Sequence, residues 1–311
     1  MNNQVLVSVV MPAYNHEKFI GETIDSVLNQ SWRNLELIII DDGSTDQTAD
    51  IVKAYDDPRV HYFHQHNQDA YNALNNGMDK AKGDFISIIN SDDVYAPNRL
   101  ERLITLLQQN GGQAIFSDIQ PIDDDSQPLN DPDFGWNQWH KNNRDFLSEM
   151  PGDLYRGFLH GNFMVTTSNL IMTATAQKQI GHFAPIRYLH DYEYIFRLLR
   201  AFPDGVNYLE KEKLMFYRIH SGNTISEAAI TGREQDQAII REAVLARCDS
   251  NTKEHVNTGI DRLIKLDQEL AEVRRTLTPE PEQSSAQEKP LAAIPSKTLL
   301  TTLLKRLRSK F

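Results

Sequence analysis

The opening third of the chain alternates between two hydrophobic periods, and nothing else in the sequence restricts the fold as strongly. Short apolar, β-branched runs occupy residues 5–10, 35–40, 60–63, 85–89 and 114–116. Stretches with helical spacing separate them, at about 17–30, 45–55, 70–82 and 97–109. Strands that are apolar at every position need cover on both faces. Their regular exchange with amphipathic helices predicts an α/β chain built on a mostly parallel sheet. Ser44, with Gln47 three residues on, reads as a capping box for the second helix. Pro97 suits the first turn of the fourth.

The chain changes character near residue 120. Asp123-Asp124-Asp125, several prolines, Trp136 and Trp139 predict an irregular insertion over 120–160. Order returns over 161–226, with a helix near 191–200 and a strand near 213–219. Beyond about 232 the pattern is helical. Leu263, Leu266, Leu270, Val273 and Leu277 follow a 3-4-3-4 spacing. That is a seam of about two heptads. It suits either a homodimer through 260–277 or a helix packed on its own domain. Residues 278–295 hold four prolines and read as a disordered linker. Over 296–311, Leu300, Leu303, Leu304, Leu307 and Phe311 share one helical face, while Lys305, Arg306, Arg308 and Lys310 fall mainly elsewhere. A basic amphipathic helix on a tether suits an anionic membrane surface. Packing against its own domain or a partner suits it equally.

Charge and composition remove several classes. The net charge of −11 argues against nucleic acid as a partner. No apolar run reaches the roughly 18–20 residues of a membrane span. Met1-Asn2-Asn3-Gln4 lacks the basic start of a secretory signal. The single cysteine, Cys248, excludes an internal disulfide and fits a reducing compartment, so the expected location is cytoplasmic.

Open α/β sheets bind ligands beyond the carboxyl ends of their strands. Three polar clusters fall at such ends: residues 11–15, Asp41-Asp42-Gly43-Ser44, and Asn90-Ser91-Asp92-Asp93. Any one of them alone is as well explained by a polar turn or a helix cap. Together they suit a hard divalent ion, Mn2+ or Mg2+, which takes carboxylate and phosphate oxygens. Such an ion offsets charge on a departing diphosphate. The acids alone serve nucleotidyl transfer as well as glycosyl transfer.

Four ordered motifs resemble glycosyltransferase family 2 enzymes of the GT-A fold. They are Val7-Ser8-Val9-Val10-Met11-Pro12-Ala13-Tyr14-Asn15, then Leu37-Ile38-Ile39-Ile40-Asp41-Asp42-Gly43-Ser44-Thr45-Asp46, then Ala73-Leu74-Asn75-Asn76-Gly77, then Ala81-Lys82-Gly83-Asp84-Phe85-Ile86 leading into Asn90-Ser91-Asp92-Asp93. The resemblance spans about residues 5–225. It implies a Rossmann-like three-layer α/β/α domain with a mixed sheet over 1–230. That domain would have a nucleotide-sugar part at about 1–118 and an acceptor part at about 119–230. A helical extension over 231–277 would follow.

The resemblance also implies roles. Pro12, Tyr14, Asn15, Asp41, Asp42 and Asn75 belong with the donor nucleotide. Asn90-Ser91-Asp92 stands at the family's Asp-x-Asp position, with Asp92 expected to hold the metal and Asp93 beside it. Asn90 departs from that pattern, which weakens the expected ion site. His190-Asp191 resembles the family's Glu-Asp segment, so Asp191 is the expected general base, with Glu193 as the alternative. His220, in Tyr217-Arg218-Ile219-His220, is expected to reach the diphosphate or the metal. Trp136 and Trp139, with Glu193, are candidates for the acceptor side, although both tryptophans also suit a core.

The implied activity is inverting transfer of a sugar from a nucleotide-diphosphate donor, a UDP-sugar first. The implied acceptor is a glycan or lipid-linked glycan in cell-surface polysaccharide synthesis, at the inner face of the plasma membrane. Two rivals stay open. Asn90 and His190 keep alive a catalytically impaired relative that acts as a scaffold. A nucleotidyltransferase would usually show a Gly- and basic-rich loop after the first strand, and residues 12–15 show none.

Overall fold

The computed structural model describes residues 5–149, 151–220, 222–223 and 231–277. The expected linker at 278–295 and tail helix at 296–311 lie outside the described residues. Two compact units divide the chain, 1–253 and 254–311.

The first unit is built on one sheet of eight strands among the described residues. The strands are β1 (Val7–Ala13), β2 (Leu35–Asp41), β3 (Val60–His64), β4 (Phe85–Ile88), β5 (Val94–Tyr95), β6 (Ala114–Ile122), β7 (Ile171–Thr173) and β8 (Val206–Arg218). Their order is β3-β2-β1-β4-β7-β6-β8-β5. The first four in that row run parallel to one another, as do β6 and β8, while β7 and β5 pair antiparallel to their neighbours. The sheet is mixed for that reason. Its helices are α1 (Ile20–Leu28), α2 (Thr48–Lys53), α3 (Ala70–Lys80), α4 (Arg99–Asn110), α5 (Gly135–Glu149), α6 (Leu154–His160), α7 (Ala174–Ile180), α8 (His190–Ala201) and α9 (Thr231–Ala246). The final helix, α10, spans Ser250–Leu277.

Alternating side chains of the central strands feed two cores. Val9, Met11, Leu37, Ile39 and Ile119 join the cluster that contains Ile20, Ile24, Leu103 and Ile104 of α1 and α4. Val10, Ile86, Ile88 and Phe116 join the cluster that contains Leu74, Phe158 and Ile195 of α3, α6 and α8. Both faces are covered, as the unbroken apolar runs require. The contact with α3 is close because Gly77 has no side chain: a Cβ there would meet Val10 Cγ1 at 2.3 Å. Between β6 and β8 the register jumps from Ser117 opposite Leu209 to Asp118 opposite Lys213, so β8 bulges before its last six residues.

Three local expectations are corrected. The capping box does not form. Ser44 Oγ accepts from Asn15 N, and Asp46 Oδ1 accepts from Thr48 N at the start of α2. Ser44 lies four residues before α2 and is taken by the first loop, so the nearer Asp46 meets the first helical N–H instead. Pro97 precedes α4 by two residues instead of entering it. The region 120–160 is largely regular: β6 continues to Ile122, and α5 and α6 follow.

In the second unit, the described residues belong to α10. Leu263, Leu266 and Leu270 are exposed at 66%, 43% and 41%. Among the described residues, no helix is long and apolar enough to cross a membrane.

Candidate active site

The loops after β1, β2 and β4 meet at one edge of the sheet. Asn15 adopts φ 51°, a left-handed conformation that Asn tolerates better than most residues. In that pose its Oδ1 accepts from Thr45 N at 2.8 Å, which ties the first loop to the second. Asp41 is buried, and accepts from Ser44 N at 2.9 Å and from the Tyr62 hydroxyl at 2.6 Å. Asp42 accepts from Gln65 Nε2 at 2.7 Å and Gln68 N at 2.9 Å. Burial, only partly offset by those two bonds, pushes its carboxyl above the ordinary range. Pro12 is buried in β1, while Tyr14 is 46% exposed, open to a stacking partner. Asn75 is bonded at both ends of its amide to the backbone of Phe183.

The loop after β4 holds the densest polar network. Asn90 turns toward the short 3-10 turn Thr167–Asn169 and the residue before it. Its Nδ2 donates to Thr166 Oγ1 at 3.1 Å, and its Oδ1 accepts from Thr167 Oγ1 at 3.2 Å. Asp93 faces the same turn. It accepts from Ser168 Oγ at 2.5 Å and from Arg218 N at 3.0 Å, with no exposed surface. Burial, together with the charge of Asp92, holds its carboxyl well above the usual range. Val165, two residues before this turn, adopts φ 72°, a conformation unusual for a β-branched residue.

Asp92 faces elsewhere. Its Oδ2 lies 3.1 Å from His220 Nε2, while Gly222 N donates to His220 Nδ1 at 3.2 Å. Burial alone would raise the Asp92 carboxyl, but the His220 hydrogen bond and the nearby imidazoles outweigh it and hold it low. His16 completes the cluster: one ligand atom each from His16, Asp92 and His220 lie within 4.8 Å of one another. The His16 ring also meets Ser91 Oγ through Nδ1 at 2.7 Å. Two nitrogens and a carboxylate oxygen form a donor set that fits a divalent ion. Asp93 stands apart from this set, spent on Ser168 and Arg218. His16 belongs to none of the residues expected from the sequence to line the site, and its place directly after the Tyr14-Asn15 loop is the signal the sequence offers for it.

Arg218 fixes this arrangement from behind. It is fully buried. Its guanidinium donates to Asp92 O at 2.8 Å, Asp123 O at 2.8 Å and Glu22 Oε2 at 2.6 Å. The bulge in β8 precedes it, so the strand end delivers both Arg218 and His220 to the β4 loop.

Asp191 opens α8, where the first-turn N–H groups favour a carboxylate. It is buried and accepts from Asn162 Nδ2 at 2.9 Å. Burial raises its carboxyl above the ordinary range, against the pull of His190 and Asn162. Burial also lowers His190, whose Nδ1 donates to Ile186 O at 3.2 Å. Glu193 is occupied: Arg197 holds both of its oxygens, at 2.7 and 2.8 Å. The Tyr217 phenol links the halves of the site. Burial first, then the charges of Asp93, Asp92 and Asp191, push it upward. Trp136 stacks on Tyr217 at 5.9 Å and 20°, half-buried, whereas Trp139 is 43% exposed.

Comparison with known proteins decides the family. Residues 8–166 match the family described as Glycosyl transferase family 2. An uncharacterised glycosyltransferase of Rickettsia typhi is 33% identical over 228 residues, covering 72% of this chain and 67% of that one. The chain is a member of glycosyl transferase family 2. That membership separates this glycosyltransferase from the nucleotidyltransferases that its acidic clusters alone left open. Two solved structures share the fold. Staphylococcus aureus TarS in complex with UDP-GlcNAc has a TM-score of 0.59 at 16% identity, over 81% of this chain and 70% of that one. The mannosyltransferase PcManGT of Pyrobaculum calidifontis, in complex with GDP-Man and Mn2+, has a TM-score of 0.57 at 15% identity, over 98% and 81%. The expected GT-A fold, with its mixed sheet and helical C-terminal part, is the one observed.

Proposed function

We propose that this glycosyltransferase transfers a sugar, with inversion, from a UDP-sugar to a hydroxyl of a glycan or lipid-linked glycan. The observation that carries the reading is the pairing of Asp92 with His220 at the carboxyl edge of the sheet, together with the buried, raised carboxyl of Asp191 at the start of α8. Asp191 accepts the proton of the acceptor hydroxyl as it attacks the anomeric carbon from the side opposite the diphosphate. Its raised carboxyl makes it a stronger base than an exposed Asp. Asp92 and His220 would hold a divalent ion, which when bound offsets charge on the diphosphate. Asp41, Asp42, Asn15 and Asn75 brace the donor loops, and Pro12 and Tyr14 border the nucleotide. Asn90 and Ser91 shape the same pocket. Trp139 offers an exposed face to the acceptor sugar, with Trp136 packed behind it, and Glu193 on α8 is assigned to the acceptor side as well.

The setting proposed for this chemistry is cell-surface polysaccharide synthesis in the cytoplasm, at the inner face of the plasma membrane. Residues 296–311 would supply the contact with anionic lipid, and 260–277 the contact between two copies. TarS and PcManGT support a nucleotide-diphosphate sugar while differing in the nucleotide, so the test must choose. UDP-glucose, UDP-GlcNAc, UDP-galactose and GDP-mannose are compared by thermal shift, with and without Mn2+. A donor at about 100 times its Kd adds about 2.7 kcal/mol. The expected result is a metal-dependent shift with a UDP-sugar, and release of UDP on adding acceptor. A shift with GDP-mannose alone would overturn the choice of nucleotide. Binding without nucleotide release from any donor would point to a scaffold.

A further inference from the structure

We propose that His16 is a third protein ligand at the ion site, giving a centre of two imidazoles and one carboxylate that prefers Mn2+ to Mg2+. The inference rests on the metal-assisted reading above and concerns which residues and which ion serve it.

Donor atoms on an ion at about 2.1 Å lie about 3–4 Å apart. Those of His16, Asp92 and His220 already lie within 4.8 Å of one another, so small side-chain movements close the set. The two imidazoles meet edge to face at 5.9 Å, and Phe19 touches both, at 6.2 Å from His16 and 4.8 Å from His220. Arg218 lies over the same Phe19 ring at 4.8 Å, which fixes that apolar wall. His16 is further held by its backbone N–H, which donates to Thr48 Oγ1 at 2.9 Å. Ligands aligned by such outer contacts cost less to order on binding.

The chemistry follows from what Asn90 and Asp93 do instead. Asn90 carries no charge, and its amide is spent on Thr166 and Thr167. Asp93 is spent on Ser168 and Arg218. One carboxylate remains, from Asp92. Mg2+ takes hard oxygen donors, one or two carboxylates with phosphate oxygens, so two imidazole nitrogens beside a single carboxylate suit it less well. Imidazole nitrogen suits transition ions, whose affinities rise along the series that begins with Mn2+. His16 therefore supplies the donor that Asn90 does not.

The test uses the full chain and Mn2+ itself, read by electron paramagnetic resonance with and without UDP. Wild-type protein is expected to show nitrogen modulation from two imidazoles, and Mg2+ is expected to displace Mn2+ only at about tenfold excess or more. His16→Gln should lose at least about 10-fold in Mn2+ affinity, since loss of even an outer partner of a ligand costs about 10–100-fold. It should also lose one nitrogen from the signal, while its metal-free melting temperature stays unchanged. Wild-type binding through one nitrogen overturns the proposal, and this readout does not require the variant to fold. Unchanged affinity in His16→Gln alongside lost affinity in Asp92→Asn overturns the role of His16 and leaves the metal reading standing. No Mn2+ binding by the wild type, with or without UDP, overturns both.

Discussion

Asp191 shows how burial sets chemistry at a single residue. Its carboxyl is raised chiefly by burial, against the opposing pull of His190 and the hydrogen bond from Asn162. A base works only when deprotonated. As pH falls through the raised pKa, the carboxylate gains a proton and transfer stops. The acid limb of kcat/KM is therefore expected above the ordinary Asp value of about 3.9. Asp191→Asn should lose about 10²–10⁴ in kcat while donor binding persists. Glu193→Gln should keep most of the turnover, since Arg197 already occupies both of its oxygens. The reverse pattern in the two variants would move the base to Glu193. Asp191 was legible because it stands in a motif that opens a helix. His16 was not, because its partners Asp92 and His220 lie far along the chain and only the folded sheet brings them together. Arg218 was hidden for the same reason: a cation in a strand pattern gives no hint that Asp92 O, Asp123 O and Glu22 Oε2 await it.

Among the elements, the central strands and the helices between them were readable because period and burial agree there. Residues 35–40 and 60–63 reappear within β2 and β3 nearly unchanged. The helix α5 was missed because its residues are poor helix formers. Gly135, Asn137, Asn142 and Asn143 all weaken the local signal. Tertiary contacts hold it instead. Buried Asp118 on β6 accepts from His140 Nε2 at 3.1 Å and Arg144 Nη1 at 2.5 Å, both on α5. Burial works against the Asp118 charge, but these partners outweigh it and keep the carboxyl low. Asp118→Ala leaves Arg144 and His140 facing no anion. Arg144 is partly solvated, so the cost belongs at the lower end of the range for a broken buried pair, about 3 kcal/mol. Denaturant unfolding measures it, and a loss below about 1 kcal/mol would mean that α5 is held by its apolar side alone. The helix α3 presents the opposite situation. Gly77→Ala places a methyl against Val10, so overpacking should cost about 1–3 kcal/mol and loosen Asn75, two residues away. A neutral substitution would show that α3 can slide on the sheet.

For the whole molecule, the fold class followed from the alternation of runs, whereas the state of assembly depends on a short segment in the second unit. Leu263, Leu266 and Leu270 are exposed along α10. Three leucines at seam spacing, each about half exposed, are costly to leave in water, roughly 1 kcal/mol for each side chain that association would bury. Against this stands the brevity of the seam, about two heptads, with the ordering cost of joining two chains. The balance predicts a weak homodimer, and its population should depend on protein concentration. Sedimentation velocity over about 1–100 μM should show the mean mass rising from one chain toward two. Leu266→Lys combined with Leu270→Lys places like charges across the seam, and should hold the full-length protein monomeric at every concentration. Turnover of soluble acceptor should be unchanged in that double variant, because Asp92, Asp191 and His220 all lie in the first unit. A wild-type mass that stays at one chain throughout would remove the dimer. Lost turnover in a folded double variant would mean instead that the leucine face serves the site directly.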